Sequence, residues 1–281
     1  MNRPDLLVIM SDQHSPHVLG CAGDPVVRTP HLDRLAAAGV RFTTTYCPSP
    51  LCVPSRMAFL AGQTPSAIRV WTNACVLGSD VATFAHALGA AGYETVLCGR
   101  MHFQGPDQRH GFERRLVGDV IGGVIGGRGP SFGHVPVATA GMGQVSLEYA
   151  GPGRVSYHAY DAEVTRAAAD FLRQRGAQPR TARRPFCLVV GFVLPHCPYI
   201  APKPLYDYYS ERVEVPRVPH GYLDRLHPAI RVWREVRGVE EITPEQARRA
   251  RAAYYGLVTL LDENVGQLLA ALQEAGLAEH T

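Results

Sequence analysis

Three short apolar segments, each followed at once by polar residues, constrain the fold of this 281-residue chain more than any other feature. They are Asp5 to Met10, Glu94 to Cys98 and Phe186 to Leu194. Short apolar runs of this kind are typical of strands that are buried on both faces of a parallel sheet. We therefore predict an α/β fold with a mostly parallel central sheet flanked by helices.

Helices are expected between and after these strands. Thr29 is expected to cap the first helix, because Pro30 fits the first helical position and Gly39 provides a stop. Further helices are expected at about 80–91, at about 162–175, and from near Pro244 to Gly276.

Two segments interrupt this pattern of strands and helices. Gly118 to Gly153 is dense in glycine without a sustained period, which predicts irregular loops or a flap over a site. Lys203 to Thr243 is a basic excursion that contains prolines. The whole chain, 1–281, is interpreted as one domain.

The composition excludes several classes of protein. The net charge is +3 with scattered basic residues, so nucleic acid is not an expected partner. The apolar run Leu6 to Met10 is too short for a signal peptide or a membrane span, which predicts a cytoplasmic protein without a membrane partner. The seven cysteines include no C-x-x-C pair, so neither a disulfide framework nor a zinc ribbon is indicated.

Polar side chains follow each predicted strand. Asp12, the segment Gly99 to His102, and His196 all stand where ligands bind in open α/β sheets, beyond the carboxyl ends of the strands. For each of these residues alone, a turn or capping role is the more common explanation. Their combination predicts one shared site.

Cys52 stands immediately before a predicted helix that Pro54 initiates and Gly62 ends. Free backbone N–H groups and the helix dipole make such a position an anion site, and Arg56 adds a permanent charge. A nucleophile at residue 52 would meet an oxyanion there. A small buried cysteine before an ordinary helix is the open alternative.

The segment CVPSRMAFLAGQ resembles the C-x-P-S-R signature of the type I sulfatase family, in the alkaline phosphatase superfamily. The resemblance implies that Cys52 is converted to formylglycine by a modifying enzyme that recognises Pro54 and Arg56. The hydrated aldehyde would offer two hydroxyls on one carbon. One would attack sulfur, and loss of the proton from the other would expel sulfate.

Two further motifs match the family in order and spacing. Asp12 corresponds to a metal ligand, although Ser11 stands where many members have a second aspartate. Gly99-Arg100-Met101-His102 resembles a Gly-Lys-x-His motif. Arg100 keeps the positive charge of the lysine but cannot donate a proton, since its pKa stays above about 12.

The resemblance also assigns roles to other residues. His196 would be the general acid that protonates the leaving alcohol, and His102 would take the proton from the second hydroxyl. Asn73 would lie near the sulfate. Arg56 and a divalent metal would hold the formylglycine, with Asp12 and residue 52 as metal ligands. Ca²⁺ is the first expectation for this metal, and Mg²⁺ or Mn²⁺ are the alternatives.

Within the family, Met101 to Glu113 is most similar to choline sulfatases and their relatives, including phosphonate monoester hydrolases. This implies a small sulfate monoester as substrate and the modifying enzyme as a partner. The oligomeric state is left open, with a homo-oligomer as one alternative. An aromatic cage for a quaternary ammonium group could use Trp71, Tyr157 or Tyr199, each of which fits core or rim packing as well.

The family's metal site also uses residues beyond the last helix seen here. In relatives that helix is followed by a strand ending in Asp-His or Asp-Asn, a lysine and a smaller C-terminal domain. We therefore expect a truncated chain that binds sulfate or phosphate weakly, without turnover or stoichiometric Ca²⁺ binding. Phosphonate or phosphate ester hydrolysis and a non-catalytic, anion-binding role remain open alternatives.

Overall fold

The computed structural model describes residues 3–119 and 143–281. The strands of this part of the chain are β1 (Leu6–Met10), β2 (Glu94–Gly99), β3 (Arg114–Arg115), β4 (Gly151–Pro152), β5 (Phe186–Gly191) and β6 (Ile200–Ala201). The α-helices are α1 (Pro30–Ala38), α2 (Cys52–Ala61), α3 (Phe84–Ala90), α4 (Gln144–Glu148), α5 (Ser156–Gly176), α6 (Lys203–Ser210), α7 (Pro228–Val236) and α8 (Pro244–Glu274).

The main sheet has four parallel strands in the order β1-β5-β2-β3. Leu6 lies opposite Cys187, and Glu94 lies opposite Phe186. Every residue of β2 and β5 is buried, whereas β1 is half-buried. Continuous burial explains why β2 and β5 are apolar without alternation, because both of their faces are covered.

Helices cover both faces of the sheet. Val96 and Leu188 pack in a core that α5 and α8 complete on one face. Leu97 and Val189, their neighbours in the chain, face the opposite core, which α2 and α3 complete. This alternation follows from the two-residue period of a strand. The result is a three-layer arrangement that holds all strand ends at one edge.

The structure confirms the predicted fold class and the three main strands. Strand β5 ends at Gly191, three residues earlier than predicted, because the N–H groups of Val193 and Leu194 bind the Asp161 side chain instead of a strand. Helices α1, α3, α5 and α8 lie in the predicted regions, but α5 begins earlier, at Ser156.

The glycine-rich segment and the basic excursion, 203–243, both contain helices that the sequence did not predict. The excursion contains α6 and α7, and α6 packs on α8 through Tyr209 and Tyr255. In the glycine-rich segment, 120–142 lies outside the described residues, and the remainder includes α4 and a β4 strand that pairs with β6.

Thr29 precedes α1 as predicted, but its side chain does not cap the helix. Its hydroxyl donates to the Asp33 carboxylate and accepts the Gly20 N–H instead. The residue therefore ties α1 to the preceding loop.

No helix in the described residues is both long enough and apolar enough to cross a membrane.

Candidate active site

The parallel sheet brings the three predicted polar strand ends to one edge. Asp12 follows β1, Arg100 and His102 follow β2, and His196 follows β5. The backbone N–H of Asp12 donates to the Leu194 carbonyl at 3.2 Å, which links the first and third of these ends directly.

Cys52 is the first residue of α2, so it lies in the first turn and not before it as the sequence suggested. Asn73 fixes this helix end, since its side-chain oxygen accepts the Val53 N–H at 3.0 Å. The half-buried Cys52 thiol points to Asp12, with Sγ 3.5 Å from Oδ1. Burial and the Asp12 charge raise the pKa of the thiol, so it stays protonated at neutral pH.

Asp12 lies between this thiol and two arginines. Its Oδ2 accepts hydrogen bonds from Arg100 Nε at 2.8 Å and from Arg56 Nη2 at 3.2 Å. Burial alone would raise the pKa of Asp12, but the two guanidinium charges outweigh it and lower the pKa to about 2. Thus Oδ2 of Asp12 faces the two arginines, and Oδ1 faces Cys52.

Arg100 is almost completely buried, with only 1% of its surface exposed. Its carbonyl accepts from Arg56 Nη1 at 2.8 Å, so the two arginines are connected. Its own Nη1 is buried without a hydrogen-bond partner among the described residues. An unpaired buried guanidinium nitrogen is costly, and an anion would satisfy it.

His102 adopts a left-handed backbone conformation, with φ of 63°. Its backbone N–H and that of Met101 both donate to the Asp119 carboxylate, which fixes this turn. Arg100 Nη2 donates to His102 Nδ1 at 3.1 Å. Burial and the Arg100 charge lower the pKa of His102 to about 4, so the neutral ring carries its proton on Nε2.

His196 is half-buried at the same edge. Its Nδ1 donates to the Cys197 carbonyl at 2.6 Å, which leaves Nε2 with a free lone pair in the neutral ring. Burial, more than the Arg100 charge, lowers the pKa of His196, and Asp12 opposes this effect. The Tyr157 ring lies edge-on to His196 at 6.3 Å, and its buried hydroxyl has no hydrogen-bond partner in the described segments.

Two carboxylates that support the site were not identified from the sequence. Asp119 holds the His102 turn, and Asp161 accepts the N–H groups of Val193 and Leu194 just before His196. Both act on backbone groups distant in sequence, so no local motif marks them. A polar residue among the apolar positions of α5 was the one available signal for Asp161.

Three potential metal ligands lie together. One donor atom from each of Asp12, Cys52 and His196 is within 4.8 Å of the other two. The set contains one carboxylate, one sulfur and one ring nitrogen. Asp12 and residue 52, which the sequence predicts as metal ligands, do lie close together. His196 is a third potential ligand that was not predicted in this role.

The model of the Sulfatase family matches residues 4–281, so the chain belongs to the sulfatase family. The family implies a divalent metal and a formylglycine.

Individual relatives agree with this assignment. The chain is 34% identical over 293 residues to the choline-sulfatase of Rhizobium meliloti (strain 1021), covering 99% of this chain and 56% of that protein. It is 26% identical over 313 residues to the arylsulfatase of Clostridium perfringens (strain 13 / Type A), covering 99% and 61%.

A solved structure, the phosphonate monoester hydrolase of Agrobacterium radiobacter, has a similar fold. The TM-score is 0.74 at 22% identity, and the match covers 99% of this chain and 61% of the other. The chain thus spans a little over half the length of the relatives it matches.

Proposed function

We propose that this chain carries the nucleophile and the anion-binding part of a hydrolase for small sulfate monoesters. The observation that carries the proposal is the position of Cys52. It opens α2 within the family signature and faces Asp12, while Arg100 presents an unpaired guanidinium nitrogen at the same edge of the sheet.

The described residues provide several donors for a sulfate group. Arg100 Nη1 and the Tyr157 hydroxyl are buried and lack partners among the described residues, and His102 has a proton on Nε2. Backbone N–H groups at the start of α2 add to these donors. Charged donors that are fixed before the substrate arrives stabilise the negative charge that develops during hydrolysis.

Cys52 itself is unsuited to attack sulfur, because burial and Asp12 raise its thiol pKa. Formylglycine at this position would supply a hydroxyl nucleophile in place of the thiol. Arg56 and Arg100 would orient the sulfate. With a pKa of about 4 and Nδ1 already bonded to Arg100, His102 is better suited to donate a hydrogen bond than to take a proton.

His196 is proposed to protonate the leaving alcohol. Because burial lowers its pKa, the protonated form is populated only below the ordinary range for histidine. A role as general acid therefore predicts a rate that rises as pH falls toward that pKa.

The expected hard metal does not fit the described ligands alone. Ca²⁺ takes roughly six to eight oxygen ligands. Asp12 offers one oxygen that is not engaged by arginine, and the other two donors near it are sulfur and nitrogen. No step is therefore assigned to this metal, and its identity stays a prediction, as do a cytoplasmic location and a homo-oligomer.

Production of the full reading frame beside a formylglycine-generating enzyme tests the proposal. We expect formylglycine at residue 52 by mass spectrometry and hydrolysis of an aryl sulfate. Cys52→Ala should abolish hydrolysis, whereas Cys47→Ala, at an exposed cysteine, should leave it intact. Formylglycine at residue 52 without hydrolysis of any sulfate ester would refute the proposal and favour a non-catalytic anion-binding role.

Hydrolysis of phosphonate or phosphate monoesters is a second candidate, because the same guanidinium donors fit a tetrahedral phosphoryl group. The fold similarity to a phosphonate monoester hydrolase is consistent with it. Comparison of kcat/KM for sulfate, phosphonate and phosphate esters of one alcohol distinguishes the two functions.

A pocket beside the site is proposed to take the alcohol part. It is lined by Gln13, Tyr199, Tyr254 and Arg251, among others. The aromatic rings suit an apolar group, but the Arg251 charge disfavours a quaternary ammonium. We therefore expect a neutral aryl or alkyl sulfate to be preferred over choline O-sulfate in a direct comparison of kcat/KM.

A further inference from the structure

The donor atoms of Asp12, Cys52 and His196 form a set that suits a different metal from the Ca²⁺ expected from the sequence. A thiolate, an imidazole and a carboxylate are ligands that Zn²⁺ accepts together, with a tetrahedral arrangement and an open fourth position. Ca²⁺ and Mg²⁺ instead require oxygen ligands in larger number. The chemistry of Asp12, Cys52 and His196 therefore favours a soft or borderline cation.

The distances fit such a site. Bond lengths of about 2.0–2.3 Å place neighbouring ligand atoms of a tetrahedral zinc centre about 3.3–3.6 Å apart. Cys52 Sγ and Asp12 Oδ1 are already 3.5 Å apart. Since all three donors lie within 4.8 Å of one another, a shift of about 1 Å would complete the geometry. The half-buried Cys52 and His196 side chains can supply it.

The surrounding contacts prepare two of the ligands. His196 donates from Nδ1 to a backbone carbonyl, which is the outer contact that metal-binding histidines usually make, and this leaves Nε2 for the metal. Asp12 receives both arginines on Oδ2, which leaves Oδ1 for the metal. These contacts are independent of the proximity of the three donors.

We propose that this chain, with residue 52 in its thiol form, binds one Zn²⁺ through Cys52 Sγ, Asp12 Oδ1 and His196 Nε2. The thiol proton is released to solvent as the sulfur–zinc bond forms, and water completes the fourth position. Conversion of Cys52 to formylglycine removes the sulfur ligand. Zinc binding thus distinguishes the unconverted chain from the converted one.

This inference does not rest on the proposed hydrolase activity, because it concerns the unmodified protein. The test uses the chain produced without a modifying enzyme and held under reducing conditions. Zn²⁺ is titrated against a chromophoric chelator, and proton release is followed in weakly buffered solution at pH 7. We expect one Zn²⁺ per chain, submicromolar affinity and release of about one proton per metal.

Substitution of a ligand should weaken zinc binding by more than about 100-fold, because even the outer contacts of metal ligands contribute 10–100-fold. Cys52→Ser and His196→Gln are the direct variants. Cys47→Ser and His17→Gln are matched controls at exposed positions and should bind Zn²⁺ like the unmodified chain. Proton release should disappear in Cys52→Ser.

A second measurement needs no variant. Co²⁺ added to the unsubstituted chain should give the near-ultraviolet absorption of a thiolate-to-cobalt bond and the visible bands of a tetrahedral centre. The same chain carrying formylglycine should show neither. Equal Zn²⁺ affinity in Cys52→Ser, an octahedral Co²⁺ spectrum without the thiolate band, or tighter binding of Ca²⁺ than of Zn²⁺ would each overturn the proposal.

Discussion

Asp12 and Asp161 are both buried carboxylates at the same edge of the sheet, yet their environments shift their pKa values in opposite directions. Asp12 accepts hydrogen bonds from two arginines, and its pKa falls to about 2. Asp161 is fully buried, and its carboxylate accepts hydrogen bonds from the N–H groups of Val193 and Leu194. Burial dominates there and raises the pKa of Asp161 to about 7.

The presence of paired charges, more than burial, therefore decides that Asp12 stays ionised more readily than Asp161. Backbone N–H groups lower the pKa of Asp161, as do the more distant Arg100 and Arg56, but together they do not offset desolvation. The two residues nevertheless both bind the backbone of Leu194, in the turn that follows β5. Asp161 holds the Leu194 N–H, and the Leu194 carbonyl accepts the Asp12 N–H.

Removal of Arg100, the main charge partner of Asp12, should have the largest effect on stability. Arg100→Met leaves Asp12 with one arginine and breaks a buried ion pair, which costs roughly 3–5 kcal/mol. Urea unfolding at pH 7 measures the loss, and calorimetry with sulfate should show weaker binding. Arg166→Met, which removes two exposed ion pairs, is the control. A loss below about 1 kcal/mol would contradict the role assigned to Arg100.

Asp161→Asn should change how the stability of the protein depends on pH. The folded-state pKa is about 7, well above the ordinary range for aspartate, so the folded chain binds the proton more tightly than the unfolded chain. Stability from this group is complete below about pH 4 and declines by about 4 kcal/mol as pH rises through 7. Asparagine removes this decline. Unfolding of both proteins at pH 5 and pH 8 checks it, and parallel pH profiles would refute it.

Asp12→Asn should change the pH dependence of stability less than Asp161→Asn does, and in the opposite direction. The folded-state pKa of about 2 lies below the ordinary range for aspartate, so the ionised form stabilises the folded chain above about pH 4. About 2 kcal/mol is lost as pH falls through 2. Acid unfolding in the presence of a chelator should therefore be shallower for the variant. An unchanged acid limb would show that Asp12 is not the group held ionised by the arginines.

Much of the site followed from the sequence because its residues mark local features. Asp12 and His196 follow apolar runs that could only be buried strands, and Cys52 stands at a helix start that Pro54 and Gly62 define. The parallel sheet then brings such positions to one edge by geometry alone.

The remainder could not be predicted for a physical reason. Asp161 binds backbone groups more than thirty residues away, and such a bond leaves no spacing in the sequence. Helix α7 of the basic excursion was not predicted, because prolines and arginines obscure its apolar period. The protonation of His102 and His196 depends on burial, which the sequence does not fix.

The strand order also has a consequence for when the protein can fold. β5 lies between β1 and β2, although it is the last of the three to be synthesised. Contacts between residues so distant in sequence form slowly, because a long loop must close first. Pro54 and Arg56 are buried once the fold is complete. If the modifying enzyme contacts both residues, as the family signature implies, we expect it to act on Cys52 before β5 inserts, so that the rate of folding would limit the converted fraction.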